Sequence, residues 1–281
     1  MSNSRTSRPA VFILTISVSL FATDSFSRAE SGKEAAWKII MSAAQSTSNG
    51  KRVLGIRVLG LLPGDHKAIE LAESALLDSK PDVRAAAATV LGQVHSTASI
   101  PKLKRALSDK EITVALAAAH ALREMDDKSG YEVYYAILTG ERKSGESLLA
   151  EETAILHEPK KMETLAFEQG IGYVPFASMG WNALSVVLKN DSSRVRAAAA
   201  SMLASDPDPA SAKALMNAAQ AKRWVLRVAA LEAIAKRGDP ALRFKIEPFM
   251  YDPKEEVRFA AAAAVLRLAD VAEAQEMKEA N

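Results

Sequence analysis

Apolar positions along the chain follow a helical period set inside a longer repeat. Five segments share one pattern: PDVRAAAATVLG at 81–92, EITVALAAAHAL at 111–122, SSRVRAAAASML at 192–203, RWVLRVAALEAI at 223–234 and KEEVRFAAAAAV at 254–265. Val83, Val114, Val195, Leu226 and Val257 form one column, and Arg84, Ala115, Arg196, Arg227 and Arg258 follow in a basic column. Two residues further on, each copy has an Ala-Ala pair, and seven further on stand Leu91, Leu122, Leu203, Ile234 and Val265. The valine, alanine and leucine columns fall at i, i+3, i+4 and i+8, the spacing that lines one face of a helix. Neighbouring copies are 31 residues apart. A weaker copy, GKRVLGIRVLGLL at 50–62, keeps Arg52 and Leu59 but has Lys51 in the valine position.

Other helices are expected between these, at roughly 33–45, 65–77, 98–108, 180–189, 208–220 and 240–251. Pro81, Asp109, Asp191, Pro207, Asp239-Pro240 and Asp252-Pro253 close them as turn residues. The unit is therefore helix, turn, helix. One pair cannot bury its apolar face alone, so neighbours must stack, which predicts an all-α solenoid, or superhelix.

The register breaks once. From Ala115 to Arg196 the spacing is 81, or 50 more than one repeat, too long for a bare loop. Tyr131 to Leu138 reads as the first helix of a degenerate repeat, and helices are expected at 146–157 and 160–169 before the glycine-rich GIGYVPFASMG at 170–180. Seven of the thirteen aromatics beyond residue 29 lie between Tyr131 and Trp181. Such a cluster either packs as a satellite core on the solenoid or forms a binding lid. The expected plan is a leader at 1–29, N-terminal repeats at 30–127, a degenerate repeat with a helical insertion at 128–178, and C-terminal repeats at 179–281.

These columns resemble HEAT repeats, in particular the short bacterial kind similar to those of the phycobilisome bilin lyases. The resemblance rests on the turn aspartates Asp78, Asp109 and Asp252, six residues before the basic column, and on Val83-Arg84, Val195-Arg196 and Val257-Arg258. It implies a ladder of aspartate and arginine tying successive repeats, drawn from Asp78, Arg84, Asp109, Arg196, Arg227, Asp252 and Arg258. Asn190, Ala221 and Ala115 interrupt that pattern. The resemblance also implies that the second helices line the concave face. The residue after the basic column points away from the packed face, so Leu116, Val228, Leu231 and Phe259, with His120 beside them, either form an apolar partner-binding strip or pack against the next repeat.

Composition narrows the function further. Aromatics are only 6% of the chain while 48% is apolar, so the packed surfaces are built from small residues. Residues 1–29 have the layout of a cleavable secretory signal: Arg5 and Arg8, an apolar run from Ala10 to Ala22, then Ser27-Arg28-Ala29. The run is shorter than the roughly 20 residues a membrane span needs. Cleavage after Ala29 removes three of 36 basic and one of 34 acidic residues, leaving 33 of each. A neutral body lacks the basic field that non-specific nucleic-acid binding requires, and with no cysteine there is no thiolate site or disulfide.

Catalytic signatures are sparse. His66, His95, His120 and His157 lack metal-ligand spacing to one another, and no phosphate loop, GxSxG elbow or dinucleotide fingerprint occurs. Glu151, Glu152, His157 and Glu158 read as a solvated helix face. The expectation is a periplasmic or secreted, non-enzymatic scaffold. It would bind another protein, need neither metal nor cofactor, and keep no membrane anchor after signal cleavage. Its rival is a lyase or chaperone for a bulky prosthetic group, as the bilin lyase likeness implies, which export contradicts. A DNA-binding HEAT-like module of the alkylation-repair glycosylase kind is disfavoured by the neutral charge and by export.

Overall fold

The computed structural model describes residues 32–138 and 192–280. The leader and the segments expected at 146–157, 160–169, 170–180 and 180–189 lie outside them. Twelve α-helices are described: α1 at 32–44, α2 Asn49–Arg57, α3 His66–Ala75, α4 Pro81–Gln93, α5 Ile100–Ala106, α6 Ile112–Glu124, α7 Tyr131–Leu138, α8 Ser192–Met202, α9 Pro209–Ala219, α10 Trp224–Arg237, α11 Arg243–Ile246 and α12 Glu255–Glu279. Among the described residues the structure is all-α, as the repeat pattern requires.

Helix ends follow from local chemistry. Asp65 accepts from the Ala68 amide at the start of α3, and Asp208 from the Ala210 amide at the start of α9, each satisfying an orphan N–H. Pro81 and Pro209 occupy first-turn positions, where their missing N–H costs nothing. Helix α10 stops at Gly238, whose φ of 69° is the left-handed conformation glycine adopts without strain. The expected helix at 240–251 is instead a 3-10 turn, the short α11, and a second 3-10 stretch, Glu247–Tyr251. Pro248 in the middle explains the break: it cannot donate to the preceding turn. Helix α12 runs on to Glu279, well past the segment its repeat pattern marked.

The second helix of each pair belongs to one continuous layer. Helices α2, α4 and α6 pack directly on one another, as do α8, α10 and α12, whereas the first helices contact chiefly their own partners. The second helices thus form the closely spaced, concave side. Alanine makes that spacing possible: Ala87, Ala88, Ala118, Ala229, Ala230, Ala261 and Ala262 are fully buried. At Gly92 a methyl group would sit 2.8 Å from the Ala121 Cα, so α4 and α6 meet almost backbone to backbone.

Spatial order differs from chain order. Helix α12 packs on α10 but also on α2 and the 3-10 segment Val58–Leu61 that follows it. The layer therefore reads α6, α4, α2, α12, α10, α8. The last helix pair docks on the first, and the register break of the sequence separates the two ends of the array.

A ladder of ion pairs crosses this layer. The Arg52 Nε lies 2.9 Å from Asp78, the Arg84 Nε 2.7 Å from Asp109, and an Arg227 terminal nitrogen 2.8 Å from Asp252. Each arginine also donates backwards to the turn before its own helix, Arg84 to the carbonyls of Asp78 and Ser79, and Arg227 to those of Ala221 and Lys222. Each aspartate accepts the amide two residues on, at Lys80, Glu111 and Lys254. One aspartate thus starts its own helix and anchors the preceding repeat. Burial pushes the Asp109 carboxyl up, but the bonds from Arg84 and Glu111 outweigh it and hold it below its usual value. That part of the stability is present above the ordinary carboxylate range and lost as acid protonates the group.

Two basic-column residues stand apart. Arg196 is exposed, with Ala221 where its carboxylate would be. Arg258 donates to the carbonyls of Asp252 and Pro253 and lies 4.0 Å from Glu255. Replacing Arg84 with Met should cost about 2 kcal/mol, from charged hydrogen bonds lost at a largely buried site. Arg196→Met should stay within about 0.5 kcal/mol, as for ordinary surface positions. Denaturant melts of both variants check the contrast.

Candidate functional site: the inner face of the helix layer

The concave face is built from two positions on each second helix, one and five residues past the basic column, which lie one turn apart on the same side. The first position holds Val53, Ala85, Leu116, Ala197, Val228 and Phe259, and the second holds Arg57, Thr89, His120, Ser201, Glu232 and Ala263.

The apolar strip expected across this face is not exposed. Leu231 is fully buried and Val228 is 2% exposed, and both belong to the continuous core, while Phe259 is 6% exposed. Residues 228–231 of α10 and 259–266 of α12 are consecutive and all buried, and four successive helical residues point almost all the way round the axis. Along these stretches the two helices have no open side for an apolar strip, and those side chains pack within the fold.

Helices α4 and α6 do keep an open side. Ala85, Thr89 and Gln93 on α4 and Leu116, His120 and Arg123 on α6 are partly or fully exposed. Leu116 is half-buried against the small cluster of Ala115, Ala119 and Val133. The exposed His120 ring has its Nε2 3.1 Å from an Arg123 nitrogen and its Nδ1 3.6 Å from Glu124. Since arginine can only donate, Nε2 accepts and the ring proton of neutral His120 sits on Nδ1, facing Glu124. This group offers polar side chains beside an apolar one.

Glu232 was not singled out by its sequence. It lies partly buried on α10, and burial pushes its carboxyl up to about 7, with the Lys236 charge pulling it back. Reading the column five past the base would have found it, because it is the only acid there.

On the outer face lies a cleft of about 590 Å³ between α3 and α5. There Glu73 accepts from Ser99 at 2.7 Å and from Lys102, so its charges are already spent within the fold. A second cleft of about 470 Å³ lies beside Trp37, whose ring carries the Lys67 ammonium at 4.4 Å. Among the described residues no three His, Asp or Glu side chains are placed to share a metal ion, and no helix is long and apolar enough to cross a membrane.

Helix pairs stacked on a shared alanine layer, with a ladder of side chains between turns, define an α-solenoid. The sequence profile described as HEAT repeats matches residues 37–123, 69–140 and 182–267, and the chain belongs to the HEAT-repeat family. No curated protein matches it. Among solved structures, human deoxyhypusine hydroxylase, in complex with glycerol, aligns at 21% identity over 87% of this chain and 90% of that chain with a TM-score of 0.33. A likeness at that score carries no inference about function. The finer similarity to bilin lyase repeats rests on the sequence columns alone.

Val228→Asp should unfold the protein or destabilise it by several kcal/mol, because it buries an unpaired charge. His120→Asp, on the open side of α6, should leave the melting temperature within a few degrees of the parent. Circular dichroism melts read both. Glu232→Gln should raise the melting temperature at pH 8 but hardly at pH 5. A carboxyl raised in the fold contributes stability at low pH that is lost as pH rises through about 7.

Proposed function

We propose that this protein is an exported scaffold that holds another protein against the inner face of its α4 and α6 repeats. The observation that carries this reading is the open side of those two helices. Leu116 stands there partly exposed, with His120 and Arg123 exposed on the same helix and Thr89 and Gln93 open on α4, while Val228 and Phe259, the positions equivalent to Leu116, are buried. A partly exposed apolar residue beside hydrogen-bonding groups is the usual make-up of a peptide-binding groove. Export is supported by the basic start, apolar run and small-residue end of residues 1–29.

The test uses the full chain produced with its own leader. The exported form should begin near Glu30 by intact mass. It should capture a partner from the cell envelope that a doubly substituted Leu116→Asp, His120→Asp protein, equally folded by circular dichroism, releases at least tenfold more readily. An uncleaved Met1 in the cytoplasm would count against export. Equal capture by the variant would move the partner off this face.

A further inference from the structure

The contact between the first and last repeats lacks the arginine-aspartate rung, as the α8–α10 contact does, but here other ion pairs stand in its place. Elsewhere among the described ladder rungs an arginine meets the aspartate of the next turn. Where α12 meets α1 and α2, the aspartate position is Ser46, and Arg258 is turned to its own turn carbonyls. Other charges take over. Lys51 reaches Glu255 at 3.0 Å near the start of α12, and Lys33 reaches Glu273 at 2.6 Å and Asp270 at 3.8 Å near its far end.

That far end is over-supplied with carboxylates. Lys33 comes from α1, Asp65 from the N-cap of α3, with His66 and Lys67 following it, and Arg267 and Glu273 from α12 itself. The segment Val58–Leu61 brings no charge. Of the α2 cations, Lys51 is held at the other end and Arg57 closes the helix. The α10 cations are Lys236 and Arg237, the latter bonded to the carbonyls of Asp206, Pro207 and Asp208. Arg243, Lys245 and Glu247 stand on α11 and the 3-10 stretch after it. The Lys33 ammonium is therefore shared between Glu273 and Asp270, and Asp270, partly buried in the contact, also feels the charge of Asp65.

We propose that this contact is a proton-controlled closure of the array: protonation of Asp270 tightens the packing of α12 against α1, and its ionisation loosens it. The direction follows from the surroundings. Burial first, and then the charge of Asp65, push the Asp270 carboxyl up. Lys33 pulls it back, Glu273 pushes it up again, and Arg267 opposes, leaving it at about 6 against an ordinary 3.8. A carboxyl raised by the folded contact makes that contact most stable at low pH, with the stability lost between those two values as pH rises. This is the reverse of the ladder aspartates, so acid strengthens this joint before it attacks the others. The closure is the contact between the two halves of the array, and loosening it leaves the rungs within each half in place.

Hydrogen exchange on the full chain tests this, with rates corrected for their intrinsic pH dependence and residues 264–270 of α12 compared with 83–91 of α4 in the same sample. The protection of 264–270 should fall about tenfold from pH 5 to pH 7.5 while that of 83–91 holds, since local opening is read separately from global unfolding. In Asp270→Asn the low-pH protection should persist at pH 7.5, which also sets aside the titration of Glu232. In Lys33→Gln the loss should begin at the same pH but continue to higher pH, because the carboxyl has lost its cation. Protection of 264–270 that ignores pH, that falls in step with 83–91, or that falls equally in Asp270→Asn would overturn the proposal. So would a Lys33→Gln profile identical to the parent.

Discussion

Everything in this structure depends on how closely one second helix can approach the next. The alanine columns and Gly92 remove the side-chain bulk that would hold α4 and α6 apart, so the layer is held by near-backbone contact of small residues. Dispersion across so many close atom pairs is individually slight and collectively large. The first helices behind touch mainly their own partners and not one another. An inner face exists because the alanines are where they are.

Charge then fixes register within that layer. Apolar alanine surfaces slide easily, since one methyl resembles the next. The ladder removes that freedom by tying each arginine both to the turn before it and to the aspartate of the next. Burial makes these pairs specific more than it makes them strong, because desolvation offsets much of the attraction. Between α12 and α1, one of the places where the ladder is missing, Lys33 shared by Asp270 and Glu273 replaces a matched pair. That joint is tuned by protons where the others are set by geometry.

The periodic columns made the helix-turn-helix unit legible, and even individual interruptions carried meaning: Ala221 in place of an aspartate correctly marks where Arg196 goes without a rung. What periodicity could not say is how many sides of a helix are covered. Val228 and Phe259 lie off the alanine stripe and so read as candidates for solvent, yet the consecutive burial of 228–231 and 259–266 shows those stretches enclosed on every side. Leu116, at the matching position on α6, is partly exposed. Identical places in the repeat thus have opposite surroundings, and nothing in a 31-residue period distinguishes them.

Local sequence determined the helices, their caps, the small-residue layer and the aspartate-arginine register, because each of these rests on interactions between residues within about one repeat of each other. The order of repeats in space was decided only by the tertiary structure. The docking of α12 on α2 and the meeting of Lys33 with Asp270 join residues more than two hundred positions apart. Such a contact follows from how curvature and twist accumulate over several repeats, a sum of small rotations that no single repeat encodes.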